Sequence, residues 1–496
     1  MIIADYHWTH GLAILPEVLL VILLFTVLIT DLFLPKDQKR NLGIITTIGL
    51  FLTIVAALLV SRPEVVQGEP LIFGGMLRAD LLGFAFRLLV MFAAAITAML
   101  SVDSESLGGR VDFYALLVGA TLGMSFMTWS TNLIMLYLAL ETTSIVGYVM
   151  AGYLRLDKLS GEAGLKYFVY GALTSTLMLY GFSLLYGYTG ETNLYLLAEA
   201  ITKGGSGLLV PSLVAMMMIA IGLGFKISMV PFHFWAPDVY QGAPTPVTAF
   251  ISTASKAAAF VVVVRMFLIT FEVNGTYNWL PVLVAISAVT MTVGNLLAIT
   301  QSNIKRLLAY SSIAHAGYAL IGVVAINQQP AGQTLGIAAT SFYLGTYVVT
   351  NLLAFGAIII YSRAIGSDEI KDFAQMHRRS PTLALAMMVG FLSLAGMPPF
   401  AGFFAKFFVF AAAVQQPGLI WLAVVGVLNS IIGLYYYLIV LKVVYVGPPP
   451  EQPLEQVPVP ATAGLALGLL GVGVLLLGTL PQTWFNWAMQ AVQSLF

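Results

Sequence analysis

Glu141, Lys226, Lys256 and Lys406 each have about ten or more mostly apolar residues on both sides. A charge held at the centre of a bilayer costs ~2.5 to 3.5 kcal/mol even on lenient insertion scales, so such groups usually mark an ion or proton path. A lysine suits that work because burial disfavours an ammonium while a nearby carboxylate favours it. A glutamate–lysine contact that opens and closes would change the amine's hold on its proton. Glu141 is the only carboxylate the sequence places deep in an apolar segment, which makes it the expected partner of Lys226.

In GLGFKISMVPFHFWAPDVYQGAPTPV, Lys226 lies five residues before Pro231 and His233 two after it. A proline inside a membrane helix removes an N–H and frees carbonyls that need other partners. The helix is expected to break there, with an ammonium and an imidazole flanking a polar gap. The double proline Pro398-Pro399 repeats the device, with Lys406 now seven residues beyond it. Lys256 lies about eleven residues into its own stretch, roughly 16 Å along a helix axis and near the bilayer centre. Ser252, Ser255 and other small neighbours leave room for water around it, and His315 in SSIAHAGY is the corresponding station further along. A file from Lys226 through Lys256 and His315 to Lys406 would pass protons without a large pore.

These side chains need helices to hold them. Of 496 residues, 59% are hydrophobic and 9% charged, and the mean hydropathy is +0.93, which places the chain among all-α polytopic membrane proteins. Fourteen candidate spans cover 11–34, 42–61, 79–100, 112–129, 132–153, 162–187, 208–234, 245–270, 278–299, 303–325, 335–361, 381–411, 417–445 and 461–480. Helices seven and twelve are the broken ones. The connections, including the proline-rich VGPPPEQPLEQVPVP, are too short for a soluble catalytic domain. Lys and Arg cluster in loops on one side, which is then cytoplasmic, and an even helix count puts both termini outside. The start, MIIADYHWTHG, lacks the basic region of a cleaved signal, so the first helix is expected to be retained.

Net charge is zero, from 22 basic and 22 acidic residues, and nothing resembles a nucleic-acid footprint. The absence of cysteine excludes disulfides, thiolate chemistry and cysteine-held iron–sulfur clusters. MVPF at Met229–Phe232 recurs as MPPF at Met397–Phe400, and Gly147-Tyr148 recurs as Gly317-Tyr318. Five helices separate each pair, and an odd number inverts the second copy across the membrane. The expected units are a three-helix segment (1–110), a first repeat of helices four to eight (111–272), an inverted second repeat of helices nine to thirteen (273–446), and helix fourteen with its tail (447–496).

Other residues have plainer readings. Arg87 and Arg265 lie within a few turns of a helix end, where they can snorkel, and Lys166 can reach the cytoplasm in the same way. His233 and His315 would also serve as hydrogen-bonded core histidines. Trp129, Trp235, Trp421 and Tyr435 to Tyr437 read as interfacial anchors. Asp238 and the GAPTPV turn read as loop chemistry.

The stretches ETTSIVGYVMAGY, GEAGLKYFVYGALTSTLMLYGFSLLYG, FKISMVPFHFWAPDVYQGAPTPVTAFISTASKAAAF, SNIKRLLAYSSIAHAGY and RRSPTLALAMMVGFLSLAGMPPFAGFFAKFFVF resemble subunit N (subunit 2) of NADH:quinone oxidoreductase, respiratory complex I. The likeness spans nearly the whole chain. The helix seven to eight stretch is shared with the wider antiporter-like superfamily, which includes subunits L and M and Mrp-type sodium/proton antiporters. Lys406 favours subunit N over subunit M, where glutamate is expected, and the end after helix fourteen lacks subunit L's lateral helix.

The resemblance implies that Glu141 and Lys226 are an input pair, Lys256 a connecting lysine and Lys406 an output lysine, with Lys166, His233 and Lys305 at further positions of the hydrophilic axis. It implies a translocase subunit without cofactors or metal, in a bacterial inner membrane, or a thylakoid if the source is photosynthetic. NADH, flavin and iron–sulfur clusters would sit in partner subunits, and quinone would be met only through the complex. The competing readings are an Mrp-type Na+/H+ antiporter subunit and a passive scaffold. A scaffold does not account for four intramembrane charges.

Overall fold

Apolar runs of about 20 residues can satisfy their backbone groups in lipid only as helices. The computed structural model describes residues 8–65, 70–271, 279–325, 330–448 and 455–495. Among these it holds thirteen helices long and apolar enough to cross a membrane, and two shorter apolar helices that together make a fourteenth passage. In chain order they are α1 (Leu15–Phe33), α2 (Asn41–Val60), α3 (Leu81–Ser101), α4 (Val111–Trp129), α5 (Leu133–Ala151), α6 (Lys158–Thr189) and α7a (Ser206–Ile227), followed by the short α7b (Trp235–Gly242). Then come α8 (Thr245–Thr270), α9 (Leu280–Ile299), α10 (Ile304–Val324), α11 (Pro330–Ile365), α12a (Pro381–Ala395), α12b (Ala401–Val414), α13 (Ile420–Val446) and α14 (Ala461–Thr479).

The expected spans agree with these within a few residues, except at the two breaks. Shorter elements escaped the sequence reading: a two-stranded hairpin pairing Leu71–Ile72 with Leu77–Arg78, a helix over Leu194–Gly204, and an amphipathic helix over Pro481–Gln493. None holds the long continuous apolar window that marks a span. The expected boundary between residues 272 and 273, part of the proline-rich loop and both chain ends lie outside the described residues.

The repeat is visible in backbone hydrogen bonds. After α7a, Met229 N donates to Gly224 O (2.9 Å) and Phe232 N to Met229 O (2.7 Å). After α12a, at the same offset, Met397 N donates to Leu392 O (3.0 Å) and Phe400 N to Met397 O (3.1 Å). Both helices end in a left-handed residue, Ser228 (φ 59°) and Gly396 (φ 88°), a common way to stop a helix while satisfying its last carbonyls. Both breaks carry a cis peptide, Val230-Pro231 and Pro398-Pro399. The starts of α5 and α10 also match. The Asn132 side chain caps Ile134 N, Asn303 caps Lys305 N and Arg306 N, and each asparagine pairs in a short antiparallel bridge, with Asn193 and Glu369 respectively.

Packing leaves little slack at the second break. A Cβ on Gly402 would lie 1.8 Å from Ser393 O of α12a, and one on Gly478 of α14 would lie 2.3 Å from Pro399 O. Gly402→Ala should therefore destabilise the protein by about 1–3 kcal/mol or more, because backbone rather than a flexible side chain must yield. Thermal unfolding of the purified assembly checks this. The core sits between the repeats. The apolar window of α8 is buried along its whole length, and those of α10 and α11 nearly so, whereas α1 and α2 bury only 28% of theirs.

Candidate functional site

Proline removes a donor and ends α7a, so the carbonyls of its last turn need other partners. Ser228 N and the indole N–H of Trp235 both donate to Phe225 O, at 3.1 and 3.0 Å. Val230 N finds the hydroxyl of Thr290 on α9 at 3.1 Å. Trp235 is buried and stacks on Tyr167 with ring centroids 4.4 Å apart, so it closes the break from inside rather than anchoring at the interface. Trp129 is likewise core, under the Arg87 guanidinium at 4.0 Å, while Trp421 is exposed as expected.

Lys226 sits in the last turn of α7a with 6% of its surface exposed, and its amine has no hydrogen-bond partner. Glu141 on α5 is half-buried and accepts from Ser175 on α6. It is near enough to act on Lys226 electrostatically, yet the two form no ion pair within 4 Å. The expected partners are thus neighbours out of contact. His233, between α7a and α7b, is buried with Nδ1 unpartnered.

Two hydrogen-bonded groups lie on the Lys256 side of the expected file, one around Ser312 and one around His315. α8 is α-helical over Lys256–Arg265 and π-helical on both flanks, over Ile251–Ser255 and Met266–Thr270. Lys256 Nζ donates to Ser312 O on α10 (3.0 Å) and to the Ser312 hydroxyl. That hydroxyl also accepts from Tyr347 of α11 at 2.9 Å, and Asn351 Nδ2 donates to Tyr347 and to Ser252 at 3.1 Å each. His315 lies one turn from Ser312, with Nδ1 2.6 Å from the Tyr343 hydroxyl and Nε2 3.4 Å from that of Tyr437. Tyr437 also bonds Ser311.

Tyr347, His315 and Lys406 line one cavity of about 10 Å³. That is close to the room one water needs, and the hydroxyls of Tyr343, Thr346 and Ser393 supply polar partners. Lys406, on α12b, reaches back to the open end of α12a. Its amine donates to Ala395 O and to the Ser430 hydroxyl, both at 2.9 Å, and lies 5.0 Å from the centre of the Tyr318 ring. The lysine thereby satisfies a carbonyl that the break had freed, at the negative end of a helix dipole. Lys226 precedes its break in sequence and Lys406 follows its own, and of the two only the Lys406 amine bonds a carbonyl at its break.

Lys166 and Lys305 lie elsewhere. Lys166 pairs with Asp238 of α7b (2.5 Å) and Glu162 (2.6 Å), while Arg306 bonds the other Asp238 oxygen (2.6 Å). Lys305 pairs with Asp368 (3.0 Å) and donates to Ala243 O (3.3 Å). Asp238 therefore clamps α6 and α10 together. The side chains of the Lys166–Asp238–Arg306 group are about a third exposed (30–35%), so Asp238→Asn should cost about 1 kcal/mol or less. The thermal midpoint of the assembled protein measures this.

Several polar members of the network were not singled out from sequence: Ser312, Tyr343, Tyr347 and Asn351; Tyr436 and Tyr437, read as interfacial anchors, are instead buried, and only Tyr435 of that run is exposed. Tyr343, Tyr347 and Asn351 follow one another at four-residue spacing, a polar stripe on one face of an otherwise apolar helix. That stripe was the available signal. Expectations about buried charge also fail. Arg87 and Arg265 do not snorkel but are buried in ion pairs with Glu17 and Asp80, so Glu141 is not the only carboxylate inside the bundle. Among the described residues, no three His, Asp or Glu side chains are grouped as a metal ion would need.

A family model described as NADH:quinone oxidoreductase/Mrp antiporter, TM, matches residues 130–433. The chain is 40% identical over 491 residues to NADH-quinone oxidoreductase subunit N of Dehalococcoides mccartyi, covering 97% of this chain and 98% of that one. Among solved structures it is similar to a chain of respiratory complex I from Thermus thermophilus with bound Aureothin, at 33% identity and a TM-score of 0.77, covering 95% of this chain and 98% of the other. It also shares a fold with a chain of the Mrp complex from Dietzia sp., at 21% identity and a TM-score of 0.83, covering 96% and 97%.

Proposed function

We propose a proton-relay mechanism on the premise that this chain belongs to the NADH:quinone oxidoreductase/Mrp antiporter transmembrane family, and within it to the subunit N group. It is a multi-pass membrane subunit of the proton-translocating kind. In the proposed mechanism, a proton enters from the cytoplasm near Glu141 and Lys226, passes to Lys256, and moves through Ser312, Tyr347 and His315 to Lys406, from which it leaves to the outside. Hydroxyls and a neutral imidazole both donate and accept, so each can hand a proton on without holding a lasting charge in a dry interior.

The observation that carries this reading is the buried chain from Lys256 through Ser312 and Tyr347 to the water-sized cavity at Lys406. The gap between Glu141 and Lys226 supplies the switch. Closing it would stabilise the ammonium and opening it would release the proton, and quinone reduction in partner subunits would drive the change. His233, Lys166 and Lys305 would supply the cytoplasmic approach. Residues 1–110, 111–272, 273–446 and 447–496 are proposed as the units, with redox cofactors confined to the partners.

The Mrp-type alternative is favoured by the shared fold with the Dietzia complex. Purification through a tag on this chain separates the two readings. Co-isolation with quinone-reducing subunits, and proton uptake that follows quinone reduction in vesicles, are the expected results. Sodium-dependent exchange in company with antiporter partners would overturn the reading.

A further inference from the structure

Two buried ion pairs stand apart from the relay. Glu17 of α1 holds Arg87 of α3 at 2.7 Å, and Asp80, the N-cap of α3, holds Arg265 of α8. The second is a fork through one nitrogen: Arg265 Nη2 donates to both Asp80 oxygens at 2.9 and 2.8 Å, Nε donates to Thr128 O near the end of α4 at 3.0 Å, and Arg78 Nε lies 3.9 Å from the same carboxylate. Asp80 also accepts from Gly83 N at 2.6 Å. The two side chains are 0% and 1% exposed. Gly83 has no space for a Cβ, which would meet Arg265 Nη2 at 3.0 Å and Thr128 O at 3.1 Å.

Arg265 closes the α-helical stretch that Lys256 opens, and both ends of that stretch run into π-helical turns. A π turn adds a residue to the turn and alters the rotation carried along the chain, so the segment does not inherit its register from the α-helical turn at Thr245–Phe250, and on the other side the helix ends after Met266–Thr270. Lateral contacts set it instead. At one end these are the bonds of Lys256 to Ser312, and at the other the bonds of Arg265 to Asp80 and Thr128. A guanidinium bound by two oxygens and a carbonyl fixes angle as well as distance, which a lone ammonium does not.

We infer that Asp80 and Arg265 are positioning residues for Lys256: their fork sets the height and rotation of α8, so that the Lys256 amine meets Ser312 at the head of the tyrosine–histidine chain. The inference rests on the relay role of Lys256 proposed above.

Removing one partner alone would strand a buried charge and endanger folding. The test therefore pairs Asp80→Asn, which keeps a capping side chain, with Arg265→Met in the assembled complex, and reads protons moved per electron passed to quinone. Electron transfer should continue while the ratio falls as far as it does in Lys256→Ala. Arg265→Lys, which keeps the charge but gives up the fork, should fall between this double variant and the unsubstituted complex. Glu17→Gln with Arg87→Met, which severs α1 from α3 without touching α8, should keep the ordinary ratio. An ordinary ratio in either Arg265 variant, or an equal loss in the Glu17/Arg87 control, would overturn the inference. An ordinary ratio in Lys256→Ala would remove the relay role itself, so the two failures are distinguishable.

Discussion

Lys406→Ala should leave the complex assembled and reducing quinone while abolishing its coupled proton pumping. The amine bridges Ala395 O and Ser430 and lines a cavity together with His315 and Tyr347, so on the proposed path its loss removes the last acceptor before the exit. Folding should suffer less, because Ser430 also reaches Ala395 O at 3.4 Å and can hold the freed carbonyl. Lys406→Arg sharpens the test. Arginine keeps the positive charge but is never deprotonated in a protein, so a charge that only organised the gap would survive the exchange and a proton carrier would not. Loss of pumping in both variants, measured as proton uptake by vesicles against quinone reduction, is the expected result. Full pumping with arginine would show that Lys406 acts as a fixed charge.

Lys226→Met should show effects of opposite sign on pumping and stability. The amine is buried without a hydrogen-bond partner and without a carboxylate in contact. A charge so placed costs ~2.5 to 3.5 kcal/mol on the insertion scale, and methionine of similar length removes that cost. The thermal midpoint of the assembly should hold or rise, while coupled pumping is lost. A residue that served the fold would do the reverse. Retained pumping in a stabilised Lys226→Met complex would remove this lysine from the path.

The course of the chain was legible because lipid leaves few options. Apolar windows and the prolines at 231, 398 and 399 mark the helices and their breaks, and MVPF and MPPF mark the repeat. Which stations meet was not legible. Lys256 shares the Ser312 hydroxyl with Tyr347, His315 bonds Tyr343, and both tyrosines line one small cavity with His315 and Lys406, yet their hydroxyls look in sequence like ordinary interior side chains. Asp80 and Arg265 are 185 residues apart, and nothing local to either announces the other. Arg265 read as a snorkelling side chain because its distance from a helix end was known, whereas the neighbours that would block its way out were not. Trp129 and Trp235 misled for the same reason: proximity to a helix end is a sequence property, but facing lipid is a property of packing.

α8 is enclosed by protein along its entire apolar window, while α1 and α2 turn most of theirs outward. Changes in acyl-chain length or sterol content act on the perimeter, where helices can tilt to match a thicker or thinner membrane. Lys256 sits on a helix enclosed by protein, so if it carries protons as proposed, their delivery should tolerate wide variation in membrane makeup even where subunit adhesion at the rim does not.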